Sequence, residues 1–371
     1  MTCILLVCAL LSLTSCSRPV DSSGPLFPVC KNNKWCFINQ SGQVAITTQY
    51  QVSRYDPELR DRVMAHMVFQ DGLSPMLQLG EKESENRWGY IDKRGAFVIP
   101  PKYWDALPFS DGLAAVSLST SEGYGFIDTF GNMQIPCKFG MNFALSIFDR
   151  NLGKFSEGLF PATEGGPGAL FGYIDRTGHF AIAPRFAEAA PFSEGLAAVT
   201  EGNHSGYGFI NPSGEFVIRS HFFHANSFHE GLAAVEIYDN GNPLGWGYID
   251  KSGKLVIPPV PSPTGRDFSE GLAAVGFGSG FIDKSGHKII PQGYDAVWDF
   301  SEGLAAVYQD KKWGFIDQTG KIVIKPQFER VNEFRDGLAL VGVEKGDIPG
   351  GTHWIWGYID KSGLFVWKPS E

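Results

Sequence analysis

The chain has 371 residues, a formal net charge of −9 and 45 glycines, and 13% of its residues are aromatic. A chain of this length predicts either several domains or one extended repeat array. The acidic balance, without a basic stripe, argues against nucleic acid as a partner. The combination of aromatic residues and glycine favours strands and tight turns over helices.

The first 29 residues predict export and lipid anchoring. The apolar run from Cys3 to Leu13 is about half of the roughly 20 residues that cross a bilayer as a helix, and is typical of a signal peptide. Leu13 to Cys16 resembles a bacterial lipobox, so we expect a signal peptide at 1–15, lipidation of Cys16 and a flexible tether over 16–29. An unlipidated secreted protein is the alternative, because no Lys or Arg precedes the apolar run. By analogy, the absence of Asp after Cys16 favours the outer membrane.

Three further cysteines would remain in the mature chain. Cys30 and Cys36 flank a short segment and could form a disulfide in an oxidising compartment, which would leave Cys137 as a thiol. Buried, unpaired thiols are the alternative.

One sequence module recurs nine times. It reads aromatic-Ile-Asp-x-x-Gly, and its Asp or Asn stands at Asn39, Asp92, Asp128, Asp175, Asn211, Asp250, Asp283, Asp317 and Asp360. In the copy at 246–250, side chains alternate between two faces, which predicts a strand. Asp250 to Gly253 then has the residues of a tight turn, and 254–257 form a returning apolar strand. The module therefore predicts a β-hairpin.

A second module, Phe-x-[Asp/Glu]-Gly-Leu, alternates with the first. It occurs eight times, with glycines at Gly72, Gly112, Gly158, Gly195, Gly231, Gly271, Gly303 and Gly337. It predicts another turn, followed by a third short strand such as 272–275. The intervals of 32 to 46 residues between copies are typical of stacked supersecondary units.

The two modules together predict an all-β chain. We expect residues 30–371 to form a repeat array of eight to nine units, each made of about three short antiparallel strands. The uneven spacing favours an open, β-solenoid-like array. The alternative is a β-propeller, whose blades normally contain four strands.

The modules resemble the bacterial WG-repeat family over roughly residues 33–369. The Trp-Gly pairs that carry the resemblance stand at Trp88-Gly89, Trp246-Gly247, Trp313-Gly314 and Trp356-Gly357. In other copies the Trp position is occupied by Tyr124, Phe171, Tyr207 and Ser279, and Cys36 replaces the glycine of the first copy. The resemblance implies a β-repeat fold and a general role in molecular interaction.

Several repeated side chains are candidates for binding. The carboxylates of the second module could form an acidic ladder for Ca²⁺ or a cationic ligand, or act only as acceptors within their turns; they are Asp71, Asp111, Glu157, Glu194, Glu230, Glu270, Glu302 and Asp336. The aromatic residues of the first module could be exposed or could form the core of the stack. Four tryptophans outside the repeat are better candidates for exposed contacts: Trp104, Trp298, Trp354 and Trp367.

Features that do not repeat are the other candidates. His221, His224 and His229 lie in one link, although their spacing matches no strong metal-ligand motif. Insertions occur at 51–68, 140–154, 165–169 and 346–353 and could form a binding face or be simple length variation.

We find no phosphate-binding Gly loop, nucleophile elbow or His-Glu-x-x-His motif in the sequence. The chain is therefore expected to be a non-catalytic envelope lipoprotein without a metal or cofactor, whose array binds a protein or glycan and which meets the membrane only through its lipid. A structural component associated with peptidoglycan and an enzyme with an atypical site are the alternatives.

Overall fold

The computed structural model describes residues 20–52, 63–64, 66–140, 154–165, 168–202, 206–239, 241–262, 264–275, 280–291, 293–348 and 351–369. These ranges contain 32 β-strands in nine successive units, and a single 3₁₀ turn at Glu83–Glu85. Within these ranges, no helix is long and apolar enough to span a membrane. The predicted all-β repeat array is therefore confirmed.

The first four units contain three or four strands each. Unit 1 contains β1 (Phe27–Lys31), β2 (Lys34–Ile38) and β3 (Val44–Gln51). Unit 2 contains β4 (Leu73–Gln78), β5 (Arg87–Asp92) and β6 (Phe97–Tyr103). Unit 3 contains β7 (Asp105–Ala106), β8 (Leu113–Ser117), β9 (Tyr124–Asp128) and β10 (Met133–Gly140). Unit 4 contains β11 (Phe160–Glu164), β12 (Phe171–Ile174) and β13 (Phe180–Phe186).

The other five units complete the array. Unit 5 contains β14 (Glu188–Ala189), β15 (Ala197–Thr200), β16 (Tyr207–Ile210) and β17 (Phe216–Phe222). Unit 6 contains β18 (His224–Ala225), β19 (Leu232–Asp239), β20 (Asn242–Asp250) and β21 (Leu255–Val260). Unit 7 contains β22 (Leu272–Val275), β23 (Gly280–Asp283) and β24 (Lys288–Ile290). Unit 8 contains β25 (Ala296–Val297), β26 (Leu304–Gln309), β27 (Lys312–Asp317) and β28 (Ile322–Phe328). Unit 9 contains β29 (Arg330–Val331), β30 (Leu338–Ile348), β31 (Gly351–Asp360) and β32 (Phe365–Trp367).

Each unit is an antiparallel meander. Within a unit, every strand pairs with its neighbour in sequence. In addition, β10 of unit 3 pairs with β11 of unit 4, so that these two units share one sheet. A complete unit has four strands, of which the first is only two residues long. In units 1, 2, 4 and 7 the described residues supply only the last three strands.

The hairpin turn of the first module forms as predicted. Asp250 Oδ1 accepts backbone N–H bonds from Ser252 at 2.9 Å and Lys254 at 3.1 Å. The backbone N–H of Gly253 donates to the Asp250 carbonyl at 2.9 Å, and Gly253 has a φ of 84°. The Ser252 hydroxyl donates to the same carboxylate, and these bonds lower the pKa of Asp250. The aspartate is thus required by the turn itself.

The second module forms a two-residue hairpin of the I′ kind. In the Ser-Glu-Gly-Leu copy at 269–272, Glu270 has a φ of 54° and Gly271 one of 84°. Ser269 and Leu272 exchange backbone hydrogen bonds at 2.9 and 3.1 Å. Positive φ is therefore required at two positions of this turn, whereas the sequence suggested it only for the glycine.

Successive units contact each other through aromatic pairs. The buried aromatic of each third strand packs on the Phe of the next second-module turn, with ring centroids 4.8 to 5.0 Å apart. The eight pairs are Phe37–Phe69, Tyr90–Phe109, Phe126–Phe155, Tyr173–Phe192, Phe209–Phe228, Tyr248–Phe268, Phe281–Phe300 and Phe315–Phe334. These aromatics therefore form the core of the stack, as the sequence favoured.

A ninth aromatic pair joins the two ends of the array. Tyr358 of unit 9 packs on Phe27 of unit 1 at 5.4 Å, and its hydroxyl donates to the Pro28 carbonyl at 3.2 Å. Both rings are buried, together with Val29, Ile38 and Leu338 of the same cluster. Phe27 thus takes the place of the turn Phe that unit 1 lacks.

The glycines of the first-module turns also show that unit 9 contacts unit 1. A Cβ added to each would lie 2.9 to 3.2 Å from a γ-carbon in the fourth strand of the preceding unit. The eight pairs along the chain are Gly95–Ile46, Gly131–Ile99, Gly178–Ile135, Gly214–Ile182, Gly253–Ile218, Gly286–Ile257, Gly320–Ile290 and Gly363–Ile324. The ninth is Gly42 with Val366, which steps from unit 1 back to unit 9.

The described units therefore close into a ring, which corrects the preference for an open array and agrees with the propeller alternative. Two physical reasons explain the difference. A first strand of two residues has no recognisable sequence pattern, so only three strands per unit were expected. The uneven unit lengths arise in connections between strands and in hairpins that extend on the loop face, such as β30 to β31. Neither changes the aromatic contacts from one unit to the next.

The ring has two different faces. Because neighbouring strands are antiparallel, the turns of both modules lie on one side, which we call the turn face. The connections between second and third strands, and those between units, lie on the other side, the loop face. The strand ends that flank all four insertions belong to the loop face: β3, β10, β11 to β12, and β30 to β31. The chain therefore leaves and re-enters the sheets on the loop face at each insertion, while residues 53–62, 65, 141–153, 166–167 and 349–350 within them lie outside the described ranges.

The N-terminal boundary and the cysteines differ from expectation. β1 begins at Phe27, so the last residues of the tether expected over 16–29 are part of unit 1. Cys30 lies opposite Trp35 in the ladder and Cys36 lies opposite Val29, which places the two cysteines on opposite faces of the hairpin. They form no disulfide in the structure. Cys36 is buried, as the alternative proposed.

Candidate functional site

The inner side of the ring contains a cavity of about 600 Å³ between units 5 and 9. The second-module turns surround it, and neighbouring turns lie within hydrogen-bond distance of each other. Ser156 Oγ donates to the Phe192 carbonyl at 2.6 Å, and the Gly195 N–H donates to Glu157 at 3.0 Å. A volume of this size is typical of sites for small ligands or for a few side chains of a partner.

The polar side chains of the cavity occupy one recurrent position, the residue before the turn Phe. In units 6 to 9 this position is Ser227, Asp267, Asp299 and Glu333, and all four line the cavity. In units 1 to 5 it is Leu26, Val68, Pro108, Lys154 and Pro191. Since Leu, Val or Pro occupies the same position in units 1, 2, 3 and 5, the fold does not require carboxylates there.

Asp267 lies at the centre of a polar network. Its Oδ1 accepts a bond from Asn226 Nδ2 at 2.9 Å, and its Oδ2 lies 3.5 Å from His229 Nε2. Arg266 Nη1 lies 3.9 Å from Asp299 Oδ2 in the next unit. Burial raises the pKa of Asp267, while His229 and Asn226 oppose this and the charge of Asp299 adds to it. Two neighbouring carboxylates in one cavity give it a negative potential that suits a cationic or hydroxyl-rich ligand.

A second cavity of about 350 Å³ lies where unit 9 meets unit 1. Leu26, Met64, Met67 and Trp356 supply much of its apolar lining, and it shares Glu333 with the larger cavity. It lies where unit 1, which begins at β1, has no second-module turn.

The acidic ladder has a structural role in the described turns. Six carboxylates accept a bond from the glycine N–H of the next turn, at 2.8 to 3.0 Å: Asp71, Glu157, Glu194, Glu230, Glu270 and Glu302. Lys251, Lys284 and Lys361 pair with Glu194, Glu230 and Glu302 at 2.9 to 3.1 Å. These carboxylates are therefore hydrogen-bond acceptors, but from the next turn and not from their own turn as the sequence suggested.

The three histidines do not converge. His221 Nδ1 lies 2.6 Å from the Arg219 carbonyl, and the His224 ring stacks on Trp246 with 6.5 Å between centroids. Only His229 reaches the cavity. The described residues contain no group of three or more His, Cys, Asp or Glu side chains arranged to hold a metal ion.

Sequence reasoning missed Asn226, Asp267, Asp299 and Glu333. A signal existed, because the residue before the turn Phe becomes polar in four successive copies. A repeat motif consists of positions whose residue stays the same in every copy, whereas the cavity is lined by a position whose residue changes from copy to copy.

Comparison with known proteins supports the repeat assignment. The model of the WG containing repeat matches residues 88–119, 124–141, 171–203, 207–240, 246–260, 280–313 and 313–345. The chain belongs to the WG-repeat family. No curated protein matches it.

Solved structures similar to this WG-repeat chain are distant. Apo AztD from Citrobacter koseri is 15% identical, with 70% of this chain and 81% of that chain covered and a TM-score of 0.34. A virginiamycin B lyase from Staphylococcus aureus is 12% identical, with 87% and 92% covered and a TM-score of 0.33. A streptogramin B lyase is 13% identical, with 72% and 94% covered and a TM-score of 0.36. Likenesses at this level carry no argument about activity.

The glycine of the WG pair has a steric explanation. A Cβ on Gly89, Gly125 or Gly314 would lie 2.4 to 2.6 Å from an Ile carbonyl oxygen in the adjacent fourth strand. That strand changes register at this point and crosses close to the third strand. The glycine is therefore needed for the close approach of two backbones.

The WG-repeat tryptophans are more varied. Trp88 is buried, whereas Trp246, Trp313 and Trp356 are half-buried. Among the tryptophans outside the repeat, Trp104 is exposed and Trp298, Trp354 and Trp367 are half-buried. On the loop face, the exposed rings of Phe223 and Tyr238 stack with 4.5 Å between centroids.

Proposed function

We propose that this WG-repeat ring is a non-catalytic binding scaffold of the bacterial envelope, anchored by lipid at Cys16. Its ligand is a protein segment or a glycan that enters the cavity between units 5 and 9. The observation that carries the proposal is the run of polar residues before the turn Phe in units 6 to 9, all four of which line the cavity.

Energetics support a role for these side chains beyond folding. Burial of Asp267 raises its pKa, so the folded ring holds the ionised form at a cost at neutral pH. Units 2, 3 and 5 fold with Val or Pro at the same position. Groups that reduce stability without being needed for the fold are typical of binding sites.

The cavity suits ligands with several hydrogen-bond donors. Carboxylates only accept when ionised, while Asn226 and the cavity serines can do both. A basic peptide side chain and the hydroxyl groups of a saccharide both provide the donors that such a lining requires. The turns around the cavity are fixed by bonds from unit to unit, so the site is preorganised.

Photo-crosslinking in cells tests the binding site. A photoreactive amino acid at Ser227, which lines the cavity, is expected to give a protein adduct if the ligand is a protein. The same group at Thr319, in the hairpin turn of unit 8, is the matched control and is expected to give none. For the glycan case, the purified chain is expected to sediment with purified peptidoglycan, and Asp299→Lys is expected to reduce the retained fraction several-fold. No adduct at Ser227 together with no retention on peptidoglycan would refute the proposal.

The second candidate is a structural component that holds the envelope layers together. It shares the anchor and differs in binding peptidoglycan through the outside of the ring. Retention on peptidoglycan that is unchanged in Asp299→Lys would favour this candidate.

Anchoring is tested separately. Cys16→Ala is expected to move the chain from the membrane fraction to the soluble periplasmic fraction, because two or more acyl chains are needed for stable anchoring. Unchanged membrane association would show that Cys16 is not the anchor.

A further inference from the structure

The chain enters the ring on the turn face. Because β1 is the second strand of its unit, it begins at the end where the turns lie. Just before it, the carbonyl oxygens of Ser22, Ser23 and Gly24 accept bonds from Lys93 Nζ at 2.9, 3.2 and 3.5 Å. Lys93 lies in the hairpin turn of unit 2. The tether is therefore held against the turn face beside units 1 and 2.

The distance from the anchor to this point is short. Cys16 and Ser22 are six residues apart (22 − 16 = 6), which span at most about 20 Å at ~3.3–3.6 Å per residue. A lipid on Cys16 would keep this part of the turn face within about 20 Å of the bilayer.

Two hairpin turns near the tether depart from the repeat pattern. The third turn residue is Ser or Thr in seven copies, where a hydroxyl can reach the turn aspartate or asparagine, but it is Arg94 in unit 2 and Phe130 in unit 3. The fifth residue is polar in seven copies, but it is Ala96 in unit 2 and Leu364 in unit 9. Phe130 therefore cannot make a hydroxyl-to-aspartate bond such as that of Ser252. In this turn the side-chain amides of Asn132 and Gln134 donate to Asp128 instead, at 3.0 and 2.8 Å.

These departures produce the most exposed apolar side chains of the turn face. Phe130 is 84% exposed and Leu364 is 68% exposed, the two highest values among large hydrophobic residues in the described ranges. The Arg94 side chain is 86% exposed. In the closed ring, unit 1 lies between units 9 and 2, and unit 3 follows unit 2. The three side chains therefore belong to the sector of four consecutive units in which the tether arrives.

We propose that this sector of the turn face rests on the lipid bilayer, with Phe130 and Leu364 in the interface and Arg94 near the headgroups. The inference depends on the anchor at Cys16 that is part of the proposed function. Exposed apolar side chains next to a cationic one are suited to an anionic lipid surface. The loop face, with the strand ends that flank the four insertions and the Phe223–Tyr238 pair, then points away from the membrane.

Depth-dependent fluorescence quenching tests this orientation. The lipidated full chain is reconstituted into vesicles of phosphatidylethanolamine and phosphatidylglycerol that contain brominated lipids, with a bimane label on one introduced cysteine. Phe130→Cys and Leu364→Cys report on the proposed contact. Ser252→Cys is the matched control at the Phe130 position in unit 6, and Phe223→Cys reports on the loop face. The labelled parent chain gives the background from its own thiols.

Quenching at positions 130 and 364 is expected to be several-fold stronger than at positions 252 and 223. Equal quenching at all four positions, or stronger quenching at 223 than at 130, would overturn the inference. Mass spectrometry of the N-terminal peptide distinguishes the two levels of failure. An acylated Cys16 without quenching at 130 overturns only the orientation, whereas an unmodified Cys16 removes the anchor and the orientation together, while binding in the cavity is measured independently.

Discussion

Closure of the ring predicts energetic coupling between residues at the two ends of the chain. Phe27 and Tyr358 are separated by almost the whole array, and they touch only because unit 9 meets unit 1. We consider Phe27→Leu, Tyr358→Leu and the double variant. Leucine keeps an apolar side chain at both positions and removes the aromatic pair.

The expected magnitude follows from the geometry of the pair. The rings are 5.4 Å apart with 60° between their planes, and both are more than nine-tenths buried. Aromatic pairs of this kind contribute about 0.5–1.5 kcal/mol beyond the area they bury. The two substitutions should therefore be non-additive by about 1 kcal/mol, since each removes the same contact.

Urea unfolding followed by tryptophan fluorescence measures this coupling. Tyr173→Leu with Phe192→Leu is the positive control, because that pair joins units 4 and 5 at 4.9 Å. Phe27→Leu with Tyr173→Leu is the negative control and should be additive within about 0.5 kcal/mol. Coupling in the Tyr173–Phe192 pair without coupling in the Phe27–Tyr358 pair would refute ring closure in solution.

Three further predictions concern the repeat and the cavity. Gly314→Ala should lower the free energy of unfolding, measured by urea titration, by about 1–3 kcal/mol, because the new Cβ would lie 2.5 Å from the Ile324 carbonyl oxygen. Gly293→Ala is the control and should be close to neutral, because a Cβ there would have nothing within 4 Å. The pKa of Asp250 is lowered by its bond from Ser252, so its contribution to the free energy of unfolding is complete above the pKa of the unfolded chain and is lost as pH falls. Asp250→Asn should therefore make the melting temperature less dependent on pH below about 4. The pKa of Asp267 is raised by burial, so its ionisation costs stability as pH rises, and Asp267→Asn should raise the melting temperature at pH 7 more than at pH 4; an equal shift at both would contradict this.

The sequence predicted the parts of the fold that depend on local chemistry. Asp250 and Gly253 mark a hairpin turn because few other residues accept two backbone bonds or adopt a positive φ at those positions. The side chains at 246–250 alternate between two faces, which predicts a strand, again from local chemistry alone. Every unit repeats these features, so the all-β array and its periodicity could be predicted.

Closure of the ring could not be predicted in the same way. It depends on Phe27, which lies outside any recognised module and replaces the Phe of a turn that unit 1 does not have. It also depends on first strands of two residues, which have too few side chains to show alternation. The cavity was missed for a related reason: Asp267, Asp299 and Glu333 become neighbours only when the units are arranged around a centre.

The ninth aromatic pair has a consequence for how the chain folds as it is synthesised. Each interior pair joins residues close in sequence, such as Tyr173 and Phe192, so it can form as soon as the next unit emerges. Phe27 is among the first folded residues to emerge and Tyr358 among the last. Until unit 9 arrives, the apolar side of unit 1 has no partner and its contact must wait for the slowest, least local step of folding. During that interval this surface is open to misassembly with another copy, and a chaperone that shields it would act at the first unit.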